Sequence, residues 1–156
     1  MAVQALGQLR SEQALPGLLQ RLTDQSVSVR WSAVQALGQL GSVQALPALL
    51  KRLTDPITEV RQSAVQALGQ LGSAQALSAL LERLTDQDAS VRLMAVQALG
   101  QLGSAQALPA LLERLRDKDN NVRRAALHAL GSIDAPKAQD AVTAVFQEGM
   151  RLRRDS

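Results

Sequence analysis

The 156-residue chain has no cysteine and no tyrosine, and only one tryptophan, one phenylalanine and one histidine. Without cysteine there is no disulfide, no thiol nucleophile and no thiolate metal site, and the redox compartment is left undetermined. A single imidazole excludes histidine-rich metal sets and every nucleophile–histidine relay that does not pass through His128. Two aromatic rings leave almost nothing on which nucleobases can stack. Long apolar runs are lacking too. The longest uncharged stretch, Trp31 to Leu50, is broken by Gln, Ser and Gly and is too polar to span a bilayer, and nothing at Met1 resembles a signal peptide. Seventeen Lys and Arg against fourteen Asp and Glu leave a net charge of +3, and Arg151, Arg153 and Arg154 sit at the very end. So small an excess is weak ground for a nucleic-acid or membrane partner. A soluble, cytoplasmic chain is the expectation.

What the sequence does contain is repetition. The stretch VRWSAVQALGQLGSVQALPALLKRLTDPITE from Val29 returns from Val60 as VRQSAVQALGQLGSAQALSALLERLTDQDAS and from Val91 as VRLMAVQALGQLGSAQALPALLERLRDKDNN, a period of 31 residues. A degraded copy begins at Val122, and a copy missing its opening residues fills Met1 to Ser28. One domain over 1–156 therefore divides into units 1–28, 29–59, 60–90, 91–121 and 122–150, with a tail at 151–156.

Each unit spells two helices. In the copy from Val60, the residues Val60, Ala64, Val65, Ala67, Leu68 and Leu71 recur at helical spacing, while Gln62, Ser63, Gln66 and Gln70 fall on the opposite stripe. Gly72-Ser73 supplies a left-handed helix stop followed at once by an N-cap, which writes a short turn between antiparallel helices. The second helix is expected to bury Ala76, Leu77, Leu80, Leu81 and Leu84 and to expose Gln75, Glu82 and Arg83. Ser26, Asp88 and Asp119 stand where they can cap the following first helix; Ile57 holds that place in one unit and predicts the weakest start. Helices of about 12 residues are marginal in isolation, so the units must stack into an all-α solenoid with one continuous core. Gly38, Gly69, Gly100 and Gly131 are placed to let neighbouring helices approach closely.

The run D-x-x-x-x-VRxxAVxALGxLGSxxALxxLLxRLxD resembles the short HEAT-like repeats associated with phycobilin lyases, over essentially the whole chain. That resemblance implies a right-handed α-α superhelix whose VRxxAVxALG helices line the concave, ligand-facing surface. It implies no single function, since similar repeats occur in lyase subunits, a hydroxylase, DNA-repair enzymes and plain interaction scaffolds. The related deoxyhypusine hydroxylases bind iron through paired His-Glu dipeptides; here Ala129 follows the single histidine, His128, so that ligand set is missing. For a lyase, the propionates and apolar face of a tetrapyrrole favour Arg and aromatic residues. The stripe offers Arg124 and Trp31, three units apart.

No enzyme, cofactor or metal is expected. Every ALGQLG is a helix end and no Gly-rich phosphate loop precedes a helix. The row Arg30, Arg61, Arg92 and Arg123 has the look of a phosphate-tracking stripe, but each member lies six residues after Asp24, Asp55, Asp86 or Asp117. An Arg–Asp ladder tying each turn to the following helix is the plainer account, and the second row, Arg52, Arg83 and Arg114, reads as a solvated face mixed with Glu82 and Glu113.

Disagreement between the copies is the best functional clue. At one position on the first helix they read Trp31, Gln62, Leu93 and Arg124, and at the next Ser32, Ser63, Met94 and Ala125. One turn further on stand Gln35, Gln66, Gln97 and His128. By spacing these residues face away from the leucine core and form one surface, with a tryptophan anchor among adaptable Met and Gln side chains. The expected function is a scaffold that binds a protein partner through Trp31, Gln35, Gln62, Gln66, Leu93, Met94, Gln97, Arg124 and His128; a chromophore-lyase subunit is the alternative. At the ends, Ala2, Val3, Leu6, Leu15 and Leu18 are expected to form an uncovered face open to end-to-end homodimerisation, and Gln139, Asp140, Thr143 and Gln147 a polar capping helix.

Overall fold

The computed structural model describes residues 12–133 together with Asp140, Thr143, Gln147 and Arg151. Among them every regular element is helical. Short helices α1 (Leu15–Arg21), α3 (Leu46–Arg52), α5 (Leu77–Arg83) and α7 (Leu108–Arg114) alternate with long helices α2 (Val27–Leu40), α4 (Thr58–Leu71), α6 (Ala89–Leu102) and α8 (Asn120–Ser132). A 3-10 turn leads into each short helix, at Glu12–Ala14, Val43–Ala45, Ala74–Ala76 and Ala105–Ala107.

Local chemistry writes the link between a long helix and the short one that follows. Gly41, Gly72 and Gly103 take φ of +69°, +63° and +64°, a left-handed conformation that costs a residue with a Cβ roughly 1–2 kcal/mol. The next serine is extended, and Ser73 Oγ and Ser104 Oγ accept the N–H of Gln75 and Gln106. Ser42 differs: it is buried and donates to Glu12 at 3.2 Å. The last long helix differs as well, running through Gly131 and Ser132 to an extended Ile133 rather than stopping at a left-handed glycine.

Long helices pack directly on one another in sequence order, whereas successive short helices touch only sparsely. Glycine sets the close spacing. A Cβ added to Gly38, Gly69 or Gly100 would lie 2.9 Å from the Cβ of Ala67, Ala98 or Ala129 on the next long helix. A layer spaced more tightly than the layer behind it lies on the inside of the stack's curvature. Between the layers, Leu18, Leu37, Leu49, Leu68, Leu80, Leu99 and Leu111 are completely buried. Each contributes on the order of 2 kcal/mol of apolar burial, and a lone helix pair has no partner surface from which to obtain it. Leu15 and Leu18, expected at an uncovered face, are buried and belong to the same apolar core as the later leucines. Ala2, Val3, Leu6 and Gln139 lie outside the described residues; Asp140, Thr143 and Gln147 are helical and exposed.

The loops hold the main departures from the sequence reading. Among the three proposed caps only Asp119 uses its side chain, accepting the N–H of Asn121 and Val122 at 2.8 and 3.1 Å. Asp88 instead accepts from Thr58 Oγ1 at 2.8 Å, and Ser26 meets Ser28. The common device lies two residues earlier, where the carboxylates of Asp24, Asp55, Asp86 and Asp117 accept the N–H of Ser26, Ile57, Asp88 and Asp119. Since Asp55 serves the Ile57 start as well as its counterparts serve theirs, that start is built like the rest.

The arginine ladder also runs differently. Arg30, Arg61, Arg92 and Arg123 bind only the backbone carbonyl of the aspartate six residues before, through Nη1 at 2.7–3.0 Å. The first three direct Nε and Nη2 to the carboxylate 25 residues ahead: Arg30 to Asp55, Arg61 to Asp86 and Arg92 to Asp117. Arg52, Arg83 and Arg114 are not a solvated face. Each reaches back to the carbonyl of Leu22, Leu53 or Leu84 at the end of the preceding short helix, where a cation also meets the negative end of the helix dipole. Asp55, Asp86 and Asp117 stand beside them at 3.4–3.9 Å.

Candidate interaction surface

The variable residues sit on the long helices, and because those helices lie side by side, equivalent positions become neighbours. On a helix at 100° per residue, the positions of Gln62, Gln66, Gln70 and Ser63 span an arc of about 100°, with Gln66 and Gln70 in the middle. Exposure follows that arc. Gln66, Gln97 and His128 are exposed, as are Gln39, Gln70, Gln101 and Ser132 one turn on, while Gln35 is half-buried. At the margins, Trp31, Gln62, Leu93 and Met94 are half-buried, and Trp31, Leu93 and Met94 pack against the core. Ser63, expected on the open stripe, is buried at 6% exposure because the adjoining long helix covers that edge. Arg124 is exposed, and its Nη2 donates to Asn121 Oδ1 at 3.1 Å.

Clefts open between neighbouring long helices. Gln35 and Gln66 share one of about 60 Å³ between α2 and α4, lined also by Gln39, Ser63, Ala67 and Gln70. Gln97 and His128 share a much larger one of about 490 Å³ between α6 and α8, lined also by Gly100, Gln101, Ala125, Ala129 and Ser132. Trp31, Gln62, Leu93, Met94 and Arg124 line neither. Gln39, Gln70 and Gln101 also face these clefts, and their column, like that of Gln35, Gln66 and Gln97, changes only in the degraded copy, to Ser132. Their signal is spacing: each lies four residues beyond Gln35, Gln66 or Gln97, on the same face. Among the described residues no three His, Asp or Glu side chains converge on one point, and no helix is long and apolar enough to cross a membrane.

The sequence profile of HEAT repeats matches residues 1–69, 15–90 and 77–155. The chain belongs to the HEAT repeat family. No curated protein matches it significantly. Among solved structures, this HEAT chain is similar to one in the complex of CpcE and CpcF of phycocyanin lyase from Nostoc sp. PCC7120, at 26% identity and a TM-score of 0.75. The match covers 92% of this chain and 62% of the lyase chain, so the chain spans less than two thirds of that relative's length. A designed armadillo repeat protein in complex with the peptide (KR)4 is 25% identical, with a TM-score of 0.67, over 95% of this chain and 83% of its own. Kap95p, from a structure of its binding to RanGDP, shares the fold at 20% identity and a TM-score of 0.70, over 85% of this chain and 21% of its own. These HEAT repeats are thus an all-α solenoid of a kind found both in a lyase subunit and in protein-binding scaffolds.

Proposed function

We propose that the chain is a non-catalytic scaffold that binds a protein partner along its long helices, with Trp31, Gln35, Gln62, Gln66, Leu93, Met94, Gln97, Arg124 and His128 as contacts. One observation carries this reading: side chains that interlock the units repeat from copy to copy, whereas the long-helix positions of Trp31, Gln62, Leu93 and Arg124 differ in every unit and lie on helices packed side by side. A rigid frame with a varied surface suits recognition, and Trp31, half-buried at the margin of that surface, is of a residue type enriched among interface anchors. That related repeats are solved with peptide or protein partners supports the same reading.

Affinity capture from the source cell, followed by mass spectrometry, supplies the partner. Trp31→Ser combined with Leu93→Ser is then expected to weaken its binding at least tenfold. Both side chains also touch the core, so Gln66→Arg, at an exposed site, provides a variant that leaves packing alone. Unchanged affinity in both variants would remove the site assignment.

A second reading, a subunit of a phycobilin lyase or similar enzyme whose repeats hold substrate, is favoured by the superposition on the phycocyanin lyase chain. A free bilin added to the purified protein separates the two. A lyase-type subunit changes the bilin's visible absorption, and an interaction scaffold leaves it as it is in buffer.

A further inference from the structure

Among the described residues Val27, Val43 and Leu127 are the large apolar side chains left exposed, and Leu127 stands where every other unit is buried. It is 67% exposed, whereas Val34, Val65 and Val96, its counterparts on α2, α4 and α6, are wholly covered. The glycines follow the same pattern. Gly38, Gly69 and Gly100 each meet an alanine of the next long helix, while no described residue lies within 4 Å of a Cβ on Gly131. A third column repeats it: Trp31, Gln62 and Leu93 are half-buried and Arg124 is exposed. On a helix at 100° per residue these three columns fall within about 60° of arc. They form one edge, by which each long helix receives its successor, and on α8 that edge is open.

The chain also carries a segment that fits such an edge. Residues 1–9, MAVQALGQL, are identical with Met94–Leu102 of α6. It is that stretch of α6 that closes on α4: Ala98 Cβ lies 2.9 Å, and Gln101 Oε1 3.5 Å, from where a Cβ on Gly69 would be. Ala5 and Gln8 hold the corresponding places in residues 1–9.

Independently of the scaffold reading, we infer that the open edge of α8 receives residues 1–9 of a second copy of this chain, so that one copy continues the long-helix layer of the other. The contact repeats the one between α4 and α6, with Ala5 of the second copy set against Gly131, Gln8 reaching over it, and Leu127 covered as Val65 is. Leucine in place of valine gives one more methylene to bury. Arg124 keeps its guanidinium in water while its stem lies along the edge, at a column where Gln62 is likewise half-buried. Two different surfaces meet, so the association is head-to-tail, and copies add in a row rather than closing as a symmetric pair. The identity of residues 1–9 with a stretch already seated on this edge elsewhere in the array favours a second copy over a foreign helix.

Sedimentation velocity of the intact chain, from micromolar to millimolar concentration, is the test. Expected is a weight-average mass that rises with concentration past that of a dimer. Leu127→Glu, at an exposed site, should hold the chain as a monomer with its helical circular dichroism intact, and Ala5→Glu should do the same from the other surface. Mixed, these two variants should form a dimer and stop there, because each retains the surface that the other has lost; that recovery also shows that neither change has unfolded the chain. Gly131→Ala should weaken the association about tenfold by overpacking the contact, while the dilute monomer stays folded. A wild-type chain that remains monomeric throughout would overturn the inference, whether the α8 edge takes a foreign helix or nothing. So would association that survives Ala5→Glu but not Leu127→Glu, the mark of α8 pairing with itself, or mixed variants that fail to combine.

Discussion

Arg92 and Asp117, 25 residues apart, meet through two hydrogen bonds of 2.9 Å, with both side chains almost wholly excluded from solvent. The same carboxylate accepts the N–H of Asp119 at 2.9 Å, while Arg92 Nη1 holds the carbonyl of Asp86 at 2.9 Å. Removing one member leaves a buried charge without its counterion, at a cost of about 3–5 kcal/mol. Asp117→Ala is therefore expected to lower the urea midpoint sharply. Replacing both, Arg92→Met with Asp117→Leu, is expected to recover most of the loss, because no charge is then stranded.

Acid should remove this stabilisation in a defined direction. Burial alone would raise the Asp117 carboxyl, but the hydrogen bonds from Arg92 and from the Asp119 N–H, with the charges of Arg92 and Arg114, outweigh it and hold its pKa below the ordinary value. Arg92 is shifted upward by its hydrogen bond to Asp117, against burial, and stays charged throughout. A carboxyl whose pKa is lowered by folding contributes fully above its unfolded pKa of about 3.9. The contribution is lost as pH falls through the folded value. The difference in Tm between wild type and Asp117→Asn is thus expected to be full at pH 7 and to shrink steadily below about pH 4. A difference that persists unchanged into strong acid would show that the carboxylate's charge is not what stabilises the loop.

Two glycines at equivalent positions should respond oppositely to alanine. At Gly100 the new Cβ would sit 2.9 Å from Ala129 Cβ and 3.1 Å from its Cα, so two helices must part, at about 1–3 kcal/mol. At Gly131, inside α8, no described residue lies within 4 Å of such a Cβ, and alanine should stabilise by roughly 0.5–1 kcal/mol. Thermal unfolding of the two variants tests the difference in sign.

Capping gives a similar pair. Asp119→Ala removes the acceptor for two backbone N–H groups and should cost about 1 kcal/mol. Ser26→Ala removes a hydroxyl that bonds only Ser28 and is expected to stay within about 0.5 kcal/mol of wild type in the same measurement.

Much of the fold was legible because each period repeats the same local instructions. Leu68 to the core, Gly72 to the turn and Gly69 against Ala98 all follow from spacing and residue size. The pairing of Arg61 did not, although Asp55 is its nearer acid. The Asp55 carboxylate is already engaged by Arg30, Arg52 and the N–H of Ile57, which leaves Arg61 its carbonyl and turns the rest of the guanidinium to Asp86. On the candidate surface, helical spacing gave the face but not its edges: Ser63 is covered by a neighbour that no single-helix pattern contains. Gln70 was legible on the open stripe by spacing, but its column, which changes only at Ser132 in the degraded copy, was not read as part of the site.

The backward reach of the guanidinium groups gives the array a grain. Arg30 and Arg52 grip carbonyls of the unit before them, Arg61 and Arg83 do the same one step on, and Arg92 and Arg114 after that. Trimming from the carboxyl side therefore strips the new terminal module of the fingers that closed its final turn. Trimming from the amino side leaves every surviving module still clasped by its successor, so the two kinds of truncation are mechanically unequal even where they delete the same number of residues.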